Sequence, residues 1–301
     1  MKNLKIVLDW TANTNHTGFF VAKEFGYYTD VGLDVELVMP DSDGYSITPA
    51  KKVELGQADL ALCPFESVVS YRTKKTVFDA VAIAAIFRED MSAIATLASS
   101  DVNSPKELDG TTYASYQARY EDEIVRQMIR NDGGKGEFKI TYPKKLGIWE
   151  TIVSKRFDAT WIFTNWEGIQ AKNQGIELNL FKMADYGIPY GYSPIIFASE
   201  SAVHNDNEKY SLFLEATKKG FLFAQENPEA SVDSIVPFVS EQDATIDLLE
   251  SQYYTTPFYG NEQNWGILDK TEVEAYLNWL FNQGLEAQKL SFDSLVFNEL
   301  I

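Results

Sequence analysis

What most constrains the fold of this chain is a cadence that recurs along its first two thirds: a short alternating or apolar run, a polar loop, then an apolar stripe at helical spacing. The first cycle shows it plainly. Leu4, Ile6 and Leu8 alternate with Lys5, Val7 and Asp9, the period-two pattern of a half-buried strand. The run then breaks into Thr11-Ala12-Asn13-Thr14-Asn15-His16-Thr17-Gly18, all turn-compatible residues, before Phe19, Phe20, Val21 and Ala22 open a helix that stops at Gly26. A strand end, a polar loop and a helix start in succession are where open α/β sheets hold their ligands.

The cadence repeats. Residues 33–38 alternate as a strand, and Pro40-Asp41-Ser42-Asp43-Gly44-Tyr45 is a turn-rich loop. Ala50, Val53 and Leu55 have helical spacing, and residues 58–62 read as a strand entering Pro64-Phe65-Glu66-Ser67 and another helix. Such a rhythm predicts parallel sheets, with every loop after a strand on one edge. It pauses between the apolar runs 81–87 and 93–98, at Arg88-Glu89-Asp90-Met91, and a second series of cycles follows. Ser104, Pro105 and Glu107 have the spacing of a capping box, and Asp185-Tyr186-Gly187-Ile188-Pro189-Tyr190-Gly191-Tyr192-Ser193-Pro194 forms a second, Gly/Pro/Tyr-rich pause. The expectation is an α/β clamshell with the ligand cleft between two parallel-sheet domains. Residues 1–88 and 193–301 would form a discontinuous first domain and 89–192 an inserted second one, closing by a hinge at the two crossings. The last third reads as mostly helical.

Composition removes several function classes. With 44 acidic against 26 basic residues and a net charge of −18, the chain lacks the basic face that a phosphate backbone demands, so nucleic-acid binding is not expected. No apolar run approaches the ~18 residues a membrane helix needs, so no membrane span is expected. The single cysteine, Cys63, excludes an intramolecular disulfide and a cysteine-based metal cluster, and its apolar neighbours suggest an inert packing thiol. Only two histidines exist, so a zinc site is not expected either. Met1-Lys2-Asn3-Leu4 runs straight into the first strand, which leaves no room for a signal peptide. The compartment stays open between the cytosol and, if a leader was trimmed, the periplasm or cell surface.

Phosphate-loop, dinucleotide, nucleophile-elbow and metalloprotease motifs are all missing, and no cofactor is expected. His16 has no visible partnered nucleophile, and His204 lies in a polar stretch, so catalysis has little support. Binding has more. The loops expected on the cleft edge carry Trp10, Tyr45, Phe65, Tyr116, Tyr120, Trp166, Tyr186, Tyr190 and Tyr192. Large aromatics in loops at strand ends suit stacking on a planar ring, with Asn13, Asn15 and His16 reading its polar edge. Glu66 and Asp185 are the carboxylates placed to accept hydrogen bonds from a ring amino group. The competing readings are core or hinge packing for the aromatics, helix capping for Glu66 and simple solvation for Asp185.

Over roughly residues 5–200 the chain resembles the thiamine-pyrimidine binding proteins, solute-binding components of ABC importers that share a fold with the fungal thiamine-pyrimidine synthase. The likeness rests on Leu8-Asp9-Trp10-Thr11-Ala12-Asn13-Thr14-Asn15-His16-Thr17-Gly18, on Gly32-Leu33-Asp34-Val35 and on Gly56-Gln57-Ala58-Asp59. It continues through Phe157-Asp158-Ala159-Thr160-Trp161, Trp166-Glu167-Gly168-Ile169 and Asp185-Tyr186-Gly187-Ile188-Pro189. The resemblance implies a two-lobed periplasmic-binding-protein-like (type II) fold and a formylated or hydroxymethyl aminopyrimidine, or similar heteroaromatic, in the cleft. By the same resemblance Trp10, Tyr190 and Tyr192 stack on the ring, Asn13, Glu66 and Tyr116 hydrogen-bond it, and an ABC permease is the implied partner. The synthase branch carries a Cys-Cys-Cys-Phe-Cys iron motif near the position of Tyr190-Gly191-Tyr192-Ser193-Pro194, which this chain lacks. A synthase-like enzyme, with His16 acting on a bound cofactor, and a cytosolic ligand sensor are the alternatives.

Overall fold

In the computed structural model, which describes residues 1–40, 44, 46–143 and 149–301, the ten strands form two five-stranded sheets. β1 (Lys2–Val7), β2 (Leu33–Val38), β3 (Leu60–Cys63), β4 (Ala80–Ala85) and β10 (Ile195–Ser199) build one. β5 (Ser92–Leu97), β6 (Thr112–Ala114), β7 (Lys139–Thr141), β8 (Ala159–Phe163) and β9 (Leu178–Phe181) build the other. Their orders, β2-β1-β3-β10-β4 and β7-β6-β8-β5-β9, follow one plan. The chain passes between lobes after β4 and again before β10.

Both sheets are mixed, which corrects the expectation of two parallel sheets. β10 runs antiparallel to β3 and β4, and β5 runs antiparallel to β8 and β9. The reason lies in the crossings. β1, β3, β4 and β8 end toward the space between the lobes, whereas β5 and β10 are the first strands made after the chain changes lobe. They start there and run away from it, with no helix needed to return the chain to a common edge.

Strands β3, β4, β5 and β10 are buried on both faces because helices cover them, whereas β2 and β7 keep exposed residues. Ile6, Leu60, Leu62, Ile83 and Ile196 are fully buried with Phe19, Phe213 and Phe221 from the helices Thr17–Glu24 and Asn207–Glu226. Those two helices meet closely: a Cβ on Gly18 would lie 2.2 Å from the Phe221 ring and one on Gly220 would lie 2.1 Å from the Gly18 carbonyl oxygen. Only glycine fits at that crossing. In the other lobe Ile124, Val125, Met128 and Ile129 of the helix Glu121–Asn131 share a core cluster with Tyr113 and Ala159. Cys63 is buried at the end of β3, as its neighbours suggested.

The helix start at Ser104 differs from the capping box read in the sequence. Pro105–Leu108 is a short 3₁₀ turn in which Ser104 makes no side-chain cap, and the Glu107 carboxylate accepts instead from the Asn103 N–H at 2.6 Å. Among the described residues, no helix is long and apolar enough to cross a membrane.

Candidate functional site

The strand ends that meet between the lobes enclose a cavity of about 270 Å³, just under the roughly 300–1,000 Å³ typical of small-molecule sites. From the first lobe it is lined by Asp9, Trp10, Asn13 and Asn15 after β1, by Pro64 and Glu66 after β3, and by Tyr190 and Ser193 before β10. From the second come Tyr116, Ala118 and Glu121 after β6, and Trp161, Ile162, Phe163, Trp166 and Glu167 at and after the end of β8.

The loop after β1 is held by its own side chains. The Asn13 side-chain oxygen accepts from the Asn15 N–H at 2.8 Å, and its amide donates to the Thr11 carbonyl at 2.9 Å. His16 is fully buried under the loop. Its Nδ1 accepts from the Asn13 N–H at 3.3 Å and its Nε2 lies 2.7 Å from Asp9 Oδ1. Both ring nitrogens are engaged, so His16 shapes the wall without facing the cavity.

Four carboxylates line the cavity, in different states. Glu121 is saturated: Oε1 accepts from the Tyr113 hydroxyl at 2.7 Å and the Tyr116 N–H at 3.0 Å, and Oε2 from the Ala118 N–H at 3.2 Å. It ties down the loop carrying Tyr116. Glu167 accepts from the Phe163 N–H at 3.0 Å, and burial pushes its carboxyl up to about 7. Asp9 is paired with His16. Glu66 is the most weakly bonded of the four: at 5 % exposure, its Oε2 receives one long bond from the Tyr276 hydroxyl at 3.4 Å, against 3.0 Å for the one bond to Glu167. Its Oε1 accepts nothing among the described residues. Burial, reinforced by the Glu121 charge, raises the Glu66 carboxyl to about 8.

The aromatic side chains form a box. Trp10 and Tyr116 stand edge to face at 6.1 Å, Trp161 and Tyr190 at 5.1 Å, and Tyr190 meets Tyr276 at 5.7 Å. No Lys, Arg or His is among the lining residues.

Two groups of polar contacts hold the lobes together around the box. Asn165 Nδ2 lies 2.7 Å from Asn15 Oδ1, 2.9 Å from Thr255 Oγ1 and 3.2 Å from Thr14 Oγ1, while the Ser251 hydroxyl donates to the Asn165 carbonyl at 2.6 Å. Elsewhere Arg119 pairs with Glu286 at 2.5 Å and donates to Thr73 Oγ1 at 2.7 Å.

Of the residues singled out from sequence, Trp10, Asn13, Asn15, Glu66, Tyr116, Trp166 and Tyr190 line this cavity. His16 lies under the loop, and the rest sit elsewhere. Phe65 is in the hydrophobic core. Tyr192 is buried with its hydroxyl donating to Glu272 at 2.5 Å and accepting from the Asp269 N–H at 2.8 Å, a hinge-side tether. Tyr186 sets its ring against Phe181, and Asp185 is exposed on the 3₁₀ turn Met183–Tyr186. Tyr45 lies outside the described residues. Among the lining residues not expected as ligand-facing were Trp161, Glu121 and Glu167. The signal for Trp161 was available: it is in the last turn of alternation before the β8 loop, where a strand side chain at the sheet edge faces the cleft.

A family model described as "NMT1/THI5 like" matches residues 13–231, which includes nearly every residue of this cavity. The chain belongs to the NMT1/THI5-like family. Within curated proteins it is similar to a formylaminopyrimidine-binding protein of Halalkalibacterium halodurans, 26% identical over 293 residues covering 93% of this chain and 85% of that one. It is also similar to a 4-amino-5-hydroxymethyl-2-methylpyrimidine phosphate synthase of Legionella pneumophila, 21% identical over 231 residues covering 76% of this chain and 71% of that one. A solved ligand-binding component of an ABC-type import system from Staphylococcus aureus superposes with a TM-score of 0.72 at 15% identity, covering 100% of this chain and 98% of that one. At that identity it shows the fold: the periplasmic-binding-protein architecture with two α/β domains.

Proposed function

We propose that this member of the NMT1/THI5-like family is a non-catalytic binding protein for a thiamine-pyrimidine precursor or a close heteroaromatic relative, which it hands to an ABC importer. One observation carries the reading. The interlobe cavity is an aromatic box with a buried acceptor, Glu66 Oε1, waiting at its wall and no cationic side chain around it. Flat rings are held by aromatic faces, and a ring amino group is read by such a carboxylate. Binding of anionic sulfonates or phosphate esters draws no support from a wall with four carboxylates and no cation. For the same reason the box suits an unphosphorylated pyrimidine better than the phosphate product of a synthase. The engagement of both His16 nitrogens also gives the catalytic alternative little to work with.

The domain limits that fit this reading are residues 1–88 with 193–301, and 89–192, hinged at the two crossings. Calorimetric titration with formylated and hydroxymethyl 4-aminopyrimidines tests the proposal. Saturable one-to-one heat is expected, weakened about tenfold to a hundredfold by Trp10→Ala through loss of a stacking face. Absence of saturable heat with the wild-type protein overturns it.

A further inference from the structure

We propose that the cavity takes its ligand as a monocation, with the Glu66 carboxylate as the counter-charge and the Trp10, Tyr116, Trp161 and Tyr190 rings as the surrounding π-faces. The proposal rests on the reading of the cavity as a heteroaromatic site and adds the charge of the occupant.

The argument begins with a charge imbalance. Asp9, Glu66, Glu121 and Glu167 line the cavity, and none of its lining residues is basic. Two of the four have partners that account for them, His16 for Asp9 and three donors for Glu121, and Glu167 has a well-placed Phe163 N–H at 3.0 Å. Glu66 does not. An ionised carboxylate this deeply buried, with one hydrogen bond at 3.4 Å, is costly without a positive partner. Arg119 comes nearest to supplying one, but it is committed to Glu286 and Thr73 and does not line the cavity. The protein leaves the counter-charge out.

The walls point the same way. Tyrosine and tryptophan faces attract cations through their quadrupoles, more strongly where water is excluded, and aromatic boxes of this kind recognise organic ammonium groups. Trp10 with Tyr116 and Trp161 with Tyr190 supply four such rings around one buried carboxylate. A heteroaromatic that carries a fixed or protonated positive nitrogen satisfies both features. A neutral one satisfies only the stacking.

A proton balance follows. The groups facing Glu66 are Tyr276 from the helix Lys270–Asn282, Tyr190 before β10, Tyr120, Arg119, Glu121 and the buried Cys63 thiol at the end of β3, whose burial holds it protonated. Burial holds the three tyrosines above their ordinary range, so they stay neutral. Near neutral pH the unliganded Glu66 keeps its proton, since its carboxyl is raised to about 8. A permanently charged ligand ionises it, and one proton leaves to solvent. Affinity for such a ligand therefore rises with pH up to about 8 and then levels.

Matched pairs test this. The wild-type protein is titrated calorimetrically from pH 6 to pH 9 with 4-amino-5-aminomethyl-2-methylpyrimidine against its hydroxymethyl analogue, and with 1-methylnicotinamide against nicotinamide. The cationic member of a pair is expected to bind about tenfold tighter or more, with proton release below pH 8. Glu66→Gln should bring that preference to within about threefold. Equal or tighter binding of the neutral members overturns the charge assignment while leaving pyrimidine binding standing. A preference for 1-methylnicotinamide with no binding of either pyrimidine upholds the charge assignment and removes the pyrimidine reading. Binding of none of the four removes both. The wild-type comparison and its pH slope decide the matter even where Glu66→Gln fails to fold.

Discussion

Glu66 and Glu121 are the same residue type at the same cavity, each at the first turn of a helix that follows a sheet strand, and both are buried. They differ in what surrounds their oxygens. Glu121 accepts three hydrogen bonds from within its own lobe, whereas Glu66 receives one long bond from Tyr276 and keeps a free oxygen. A saturated carboxylate is part of the scaffold; an unsaturated one inside a cavity is set up for a ligand. The difference teaches that burial and residue type alone do not mark a binding group, and that the hydrogen-bond inventory does.

The largest expected effect comes from destroying the saturated member. Glu121→Ala strips the partner from the buried Tyr113 hydroxyl and two loop N–H groups, and should destabilise the protein by about 3 kcal/mol or more in denaturant titration. Glu66→Gln should do the opposite at alkaline pH. A carboxyl at about 8 in the folded state, against an ordinary 4.5, keeps a proton that the unfolded chain has released. Its stabilising contribution is complete below about pH 4.5 and is lost as pH rises through 8. Thermal melts of the unliganded protein should therefore show Glu66→Gln gaining on wild type between pH 5 and pH 9, by about 2–5 °C at the upper end. A parallel decline of both proteins would place Glu66 with Glu121 and break the contrast. The smallest effect belongs to Asp185→Ala. Its exposed side chain lies off the cavity, so ligand affinity measured by calorimetry should stay within about twofold of wild type.

Much of the fold was legible because it is written in local patterns. The alternation of Leu4, Ile6 and Leu8 and the apolar runs around β3, β8 and β10 placed the strands, and the breaks at Arg88–Met91 and before Ile195 fall where the chain changes sheets. Strand direction was not legible, since β5 and β10 look like any buried strand until their lobe of origin is known. The site was half legible. Trp10, Asn13, Glu66, Tyr116 and Tyr190 stand in loops after or before strands, and sequence shows those loops. It does not show which way a loop side chain turns, so Tyr192, two residues from Tyr190, was expected in the cleft yet tethers Glu272 and Asp269. The contacts that distinguish Glu66 from its neighbours come from Tyr276, 210 positions away, and those that join the lobes come from Ser251, Thr255 and Glu286. The helical last third, which carries no motif of its own, supplies the one hydrogen bond to Glu66 and the contacts that join the lobes.

The central claim is that a heteroaromatic ligand occupies the box and completes Glu66. A crystal structure of the protein with 4-amino-5-aminomethyl-2-methylpyrimidine tests it most directly. The account expects the ring between the Trp10 and Tyr190 faces, with a ligand nitrogen within about 3.2 Å of Glu66 Oε1. A ligand bound outside the cavity, or one inside it that leaves Glu66 Oε1 without a partner, would contradict it.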